Sequence, residues 1–213
     1  MISEKVQTLL FEAIQIFDAL TEKDYLLFGQ RGLRHSIEVF PIRIRKEHFW
    51  HLLGCKATKK IDDLYGRCKK RENIKDFVDY ANGSTEKLCF DKYSTFRKVF
   101  DFVNKAKEIK ICDTTDTPDK FNFVLAVGHY NGIIGYDNNP FSCFFLPKST
   151  QSKPIKEFNS NNQARKVVAI VEKPYFCPYF NKVSYEIKQN ILKEIVQKVD
   201  EDYQKMLDKN LIQ

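Results

Sequence analysis

The chain has 213 residues, with 35 Lys plus Arg against 28 Asp plus Glu, a formal net charge of +7. Hydrophobic residues make up 43% and aromatics 14%, a load that excludes general disorder, and 8 Gly with 7 Pro exclude a fibrous or low-complexity chain. No apolar run approaches the roughly 20 residues that span a membrane, and acidic residues break the N-terminal apolar positions too often for a signal peptide. A single domain in the cytoplasm is expected. Six cysteines at 55, 68, 89, 112, 143 and 177 form no CxxC pair and read as reduced, mostly buried thiols.

In chain order, Ser3 is a candidate N-cap for a helix over 3–20, whose apolar stripe runs through Val6, Leu9, Leu10, Ala13, Ile14, Phe17 and Leu20. Residues 1–36 read as an N-terminal helical extension. Ile37–Arg45 reads as an edge or bulged strand, because Pro41 lacks a backbone donor. His48–Gly54 reads as one or two helical turns stopped by Gly54. Residues 58–80 read as helix with a break near Asn73, Asn82-Gly83-Ser84 as a turn, and 91–107 as a second amphipathic helix.

The period then changes. Short strands are expected at Glu108–Cys112, Phe121–Val127, Ile133–Tyr136, Phe141–Leu146 and Val167–Val171. Between them lie a polar turn at Asp113–Asp119, a hairpin turn at Tyr130-Asn131-Gly132 and a polar loop at 148–165. Residues 182–208 carry Val183, Ile187, Ile191, Ile195, Val199 and Tyr203 at helical spacing, which predicts one long C-terminal helix ending by 210. The sum is an α+β fold: N-terminal helices packed on a curved antiparallel sheet built from 37–172, closed by the long C-terminal helix. No βαβ alternation or Gly-rich phosphate loop is present.

The positive charge is concentrated. Arg43 to Arg71 holds ten basic and three acidic residues, and the remainder balances at 25 against 25. Such a segment is either a solvated helical face or a surface for a polyanion, most simply nucleic acid. Two of the four histidines, His48 and His51, lie inside it at a spacing that lets them share a helical face. Histidine titrates nearest neutral pH and suits proton transfer, and the Trp50 and Gly54 that flank His51 would fix its direction. His48, His51, Cys55 and Cys68 are zinc-ligand types, but the two close pairs of a zinc finger are absent, so neither a metal nor another cofactor is expected. Pro147-Lys148-Ser149-Thr150 follows a strand and offers a cation and a hydroxyl for a phosphate. Lys87 and Arg97 are further candidates for phosphate contact.

The segment Ile42-Arg43-Ile44-Arg45-Lys46-Glu47-His48-Phe49-Trp50-His51-Leu52-Leu53-Gly54 resembles the strand-then-F-x-H-L-x-G signature of the phage-associated BECR-type nucleases. That family joins barnase, EndoU, colicin and RelE-like enzymes, and the fourth phage-associated subgroup is the nearest. Lys87 before a helix, Gly135-Tyr136 in a strand and the Pro147-Lys148-Ser149 step fit the same pattern, over roughly 37–172. Leu53 stands where the family usually carries a small polar residue. The resemblance implies a metal-independent endoribonuclease, a toxin or phage-conflict effector, which would leave a 2′,3′-cyclic phosphate. On that reading His51 is the base or acid, Lys87 and Lys148 stabilise charge on phosphorus, and Ser149 binds a phosphate oxygen. Arg43 and Arg45 would follow the RNA backbone, with Arg97 as a further contact. Tyr65 would stack on a base or orient His51, or else pack in the core. RNA is the expected partner, an acidic immunity protein a second one, and a homodimer through the C-terminal helix a third. A non-catalytic nucleic-acid-binding module and a protein-interaction component are the alternatives.

Overall fold

The computed structural model describes residues 1–32, 36–114, 122–158 and 164–212. Most of the polar turn expected at 113–119, with Phe121, His35 and the middle of the 148–165 loop, lies outside the described residues.

Helix α1, Glu4–Asp18, starts where the sequence predicts, with the Ser3 hydroxyl accepting from the Val6 N–H at 3.3 Å. Its stripe buries Val6, Leu9, Leu10, Ala13, Ile14 and Phe17. The chain does not stay helical after it. Residues Lys23–Arg31 form strand β1, which is buried on both faces from Asp24 to Gly29. An apolar run such as Tyr25-Leu26-Leu27-Phe28 has no alternation to reveal it as a strand. Strand β2, Ser36–Ile44, pairs with β1 along its whole length.

Helix α2 (His48–Leu52) follows and ends at Gly54, whose φ of +77° places it in the left-handed region expected past a helix C-terminus. The predicted helix over 58–80 is instead α3 (Ile61–Lys69), a 3-10 turn (Lys75–Phe77) and strand β4 (Val78–Tyr80). Strand β3 (Cys55–Ala57) pairs with β4 in a small separate sheet. Thr85 caps α4 (Glu86–Val99), its hydroxyl accepting from the Leu88 N–H at 3.2 Å.

The second half supplies β5 (Lys110–Asp113), β6 (Leu125–His129), β7 (Gly132–Asn138), β8 (Phe145–Gln151), β9 (Arg165–Pro174) and β10 (Lys182–Glu186). The eight long-sheet strands divide into two four-stranded halves, β2-β1-β9-β10 and β5-β6-β7-β8. Two short seams join them: β2 to β8 at Ile42–Phe145, and β5 to β9 at Lys110–Lys166 and Ile111–Arg165. The strands β1-β2-β8-β7-β6-β5-β9 thereby return to β1, with β10 outside this ring. The antiparallel sheet expected from sequence is therefore mixed, because the β2–β8 pair is parallel. Seven strands cannot alternate in direction all the way round a ring, so one pair must be parallel.

The long C-terminal helix is also absent. Residues 182–212 form β10, three short helices (α5 Ile191–Ile195, α6 Glu201–Lys205, α7 Lys209–Ile212) and a 3-10 turn at Val196–Lys198. Asn190 takes a left-handed conformation before α5, and Val199 is extended after the 3-10 turn, so the helix is interrupted twice. The apolar positions that suggested a helix bury against the outer face of β1 and β9, where Leu26, Phe28, Val168 and Val171 meet Leu192, Ile195, Val196 and Val199. Tertiary burial decides the local conformation here. The dimer expected through that helix loses its basis. No helix among the described residues is long and apolar enough to cross a membrane.

Helices α1 to α4 cover the other face of the sheet, in a core that includes Phe17, Tyr25, Ile42, Phe49, Trp50, Phe96, Phe100, Ile134 and Tyr136. A smaller cluster, with Phe123, Ile133, Ile155 and Phe158, covers the remaining side of β5 to β7.

Candidate functional site

The site follows from how β8 outruns its neighbour. Strand β8 pairs with β7 along its length but with β2 only at Phe145. Strand β2 ends at Ile44 and the chain turns into α2, so past Phe145 the edge of β8 meets helices instead of a strand. There His51 Nε2 lies 3.0 Å from the Pro147 carbonyl. A carbonyl can only accept, so Nε2 carries the proton and Nδ1 is the basic nitrogen of the neutral ring. Burial holds His51 below the ordinary imidazole value, reinforced by the charge of Lys92 and opposed by the Pro147 carbonyl and by the backbone and charge of Glu47.

The register of β8 against β7 shifts at the next residue. Ser149 sits opposite Gly135 and Pro147 opposite Tyr136, which leaves Lys148 without a partner in the ladder. The Pro-Lys-Ser step is therefore a β-bulge, a device that re-aims side chains and is over-represented beside active sites. Lys148 Nζ donates to Asp137 Oδ2 at 2.5 Å. Ser149 turns toward a cleft of about 300 Å³ between β8 and α4, lined by Leu88, Asp91, Lys92, Thr150, Gln151 and Lys153 among others.

Lys92 joins the two elements. Its Nζ donates to the His51 carbonyl at 3.4 Å, and burial lowers its pKa from the ordinary lysine value. Lys92 was not among the sequence-predicted residues. Its signal was a cation one turn from Cys89 and Phe96, on the apolar face of α4, where a charge needs a reason.

The other predicted residues lie elsewhere. Lys87 is exposed in the first turn of α4, not ahead of the helix, and Arg97 is exposed ten residues further along, about 15 Å away on an α-helix. Tyr65 packs against Phe17 and Phe49 while its hydroxyl donates to Asp18 Oδ1 at 3.1 Å. Arg43 and Arg45 both bind the buried Asp24: Arg43 through both carboxylate oxygens at 2.9 Å, Arg45 at 2.8 Å. Asp24 keeps the Arg43 guanidinium charged.

The four zinc-ligand types are turned to different partners. His48 Nδ1 accepts from the Arg45 N–H at 3.0 Å and the Cys68 thiol faces the Leu10 carbonyl at 3.6 Å. Cys55 Sγ lies 4.0 Å from Cys89 Sγ. Among the described residues no group of three or more His, Cys, Asp and Glu is arranged to hold a metal ion.

The basic segment is likewise dispersed. Lys46 pairs with Asp62 at 3.0 Å, Lys69 with Asp18 at 2.7 Å and Arg67 with Glu72 at 3.3 Å. Its other exposed cations, Lys56, Lys59, Lys60, Lys70 and Arg71, lie on and around α3. No protein family, curated protein or solved structure matches the chain. The cleft itself offers a cation softened by burial, Lys92, the Ser149 hydroxyl and Lys153, while the His51 imidazole stands beside it at Pro147 and Lys148 is paired with Asp137.

Proposed function

We propose that the chain is a metal-independent endoribonuclease whose site runs along the edge of β8, from His51 at Pro147 to the cleft between β8 and α4. The observation that carries this reading is the fastening of His51 to Pro147, directly beside the bulge that bears Lys148 and Ser149. In the reaction, His51 Nδ1 takes the proton of a ribose 2′-hydroxyl. The 2′-oxygen then bonds to the adjacent phosphorus, and the bond from phosphorus to the 5′-oxygen breaks. Lys92, made a better acid by burial, supplies the proton to the leaving oxygen. Ser149 and Lys148 hold the phosphate oxygens as charge builds on them, with Lys87 as an outer cation. An acidic inhibitor protein, the partner such an effector would need, would find its charge complement on α3.

The test is incubation with labelled RNA in EDTA. Cleavage to a 2′,3′-cyclic phosphate and a 5′-hydroxyl is expected, reduced at least about 100-fold in His51→Ala and in Lys92→Met. The acid limb of kcat/KM is expected below the ordinary imidazole value of 6.5. RNA left intact by the wild-type chain defeats the reading.

A second reading, RNA binding without cleavage, is favoured by the same contact. A histidine that braces α2 to an unpaired strand edge satisfies a carbonyl without doing chemistry. Tight, salt-sensitive binding to uncut RNA selects it.

A further inference from the structure

The start of β1 and the ends of β2 and β9 bring together chemistry that the cleavage site does not use. Asp24 is fully buried and meets three cations: Arg43, Arg45 and, at 3.7 Å, Lys173. One carboxylate against three cations leaves two positive charges in excess at a fixed place. Both guanidiniums lie against the ring of Tyr175, Arg45 at 3.8 Å and Arg43 at 5.2 Å from its centroid, and Arg43 is also 4.2 Å from that of Phe144. Hydrogen bonds to its backbone hold the loop that carries Tyr175. Its own N–H donates to the Glu22 carbonyl at 3.0 Å, and Lys173 Nζ donates to the Cys177 carbonyl at 2.6 Å.

That loop presents aromatic rings to water: Tyr175 is 52% exposed, Phe176 86% and Tyr179 52%. Folding gains nothing from a phenylalanine left in solvent next in sequence to the Tyr175 that covers anchored cations, whereas a ligand with flat apolar faces and negative charge would use both features.

We infer that this aromatic ledge is a docking surface for single-stranded RNA, its bases stacking on Tyr175, Phe176 and Tyr179 and a phosphate facing Arg43. Every base has a π-face, so stacking tolerates any sequence, and guanidiniums already fixed by Asp24 lose little freedom on meeting a phosphate. The sign of the excess charge matches a polyanion and repels a basic partner. Phe144, under Arg43, and Pro147, under His51, are three residues apart, about 10 Å of extended chain. One RNA strand would reach from the ledge to the cleft. The inference deepens the ribonuclease reading, and its choice of RNA rests on that reading.

The test is fluorescence anisotropy of a short labelled oligouridylate with the His51→Ala chain in EDTA, with and without Phe176→Ala plus Tyr179→Ala. Both side chains are exposed, so the fold is retained. Affinity is expected to fall about tenfold or more in the doubly substituted chain, and to recover with Phe176→Trp plus Tyr179→Trp. Unchanged affinity overturns the inference, as does failure of the starting chain to bind RNA. Phosphatidylserine vesicles provide the other arm: ledge-dependent vesicle binding with ledge-independent RNA affinity assigns the surface to a membrane and also overturns it. Ledge-dependent RNA binding by a wild-type chain that leaves RNA intact keeps the ledge and removes the nuclease. Cleavage with ledge-independent binding does the reverse.

Discussion

The two histidines of α2 differ by the partner each nitrogen finds. His48 is buried, with Nδ1 accepting a backbone N–H, so only its neutral form fits. Burial, with the charges of His51 and Arg45, pushes its pKa down to about 3. Between the ordinary value of 6.5 and that figure, the unfolded chain binds a proton that the folded chain does not. Stability at neutral pH is therefore lost progressively as pH falls through this window, by on the order of 5 kcal/mol from this residue alone. His48→Asn keeps an acceptor for the Arg45 N–H and removes the titration. Urea denaturation at pH 7 and pH 4 is expected to show a smaller loss of stability in the variant. Equal losses in the two proteins would assign the acid sensitivity to other groups. The buried Asp24, by contrast, has its carboxylate oxygens against three cations.

At the scale of elements, α2 matters because it is short and must stop in a fixed place. The Gly54 N–H donates to the His51 carbonyl at 3.0 Å, the same oxygen that Lys92 reaches. Gly54 has φ +77°, and a Cβ there would stand 3.1 Å from Ser84 Oγ and 3.4 Å from Cys89 Sγ. Gly54→Ala is expected to lower stability by about 1–2 kcal/mol by chemical denaturation and to displace the α2 terminus. If the site reading holds, RNA cleavage falls with it, because the His51 carbonyl and Lys92 move together. Legibility differed sharply between elements. The cap at Ser3, the stop at Gly54 and the hairpin at Asn131-Gly132 are local signals, and each appears where the sequence predicts. Strand β1 and the broken C-terminus were hidden because apolar residues there face two layers or a curved sheet, and their spacing then records packing instead of helical period.

Over the whole molecule, the ring of strands is closed by unequal seams. Strands β1 and β9 pair through eight residues, whereas β2 and β8 meet at one residue pair and β5 and β9 at two. Local opening follows the fewest hydrogen bonds. Amide hydrogen exchange is expected to be fastest among sheet residues at the β2–β8 seam and the free edge of β8, and slowest in β1 and the centre of β9. Slow exchange throughout β8 would mean that α2 and α4 close this edge as firmly as a strand. The candidate cleft lies further along the same strand, where β8 from Ser149 onward faces α4.

The sequence by itself determined that helices and strands are mixed in an α+β chain, and it determined the local caps and turns. These depend on contacts within a few residues, or on composition. Only the tertiary structure decided where the charge lies and what stands beside the histidine. Arg43 and Arg45 belong to Asp24, 19 and 21 residues earlier in the chain, and Lys92 reaches His51 from 41 residues away. Ion pairs and strand register are settled by which backbones are brought together in space, a choice made by burial of the whole core rather than by any one segment.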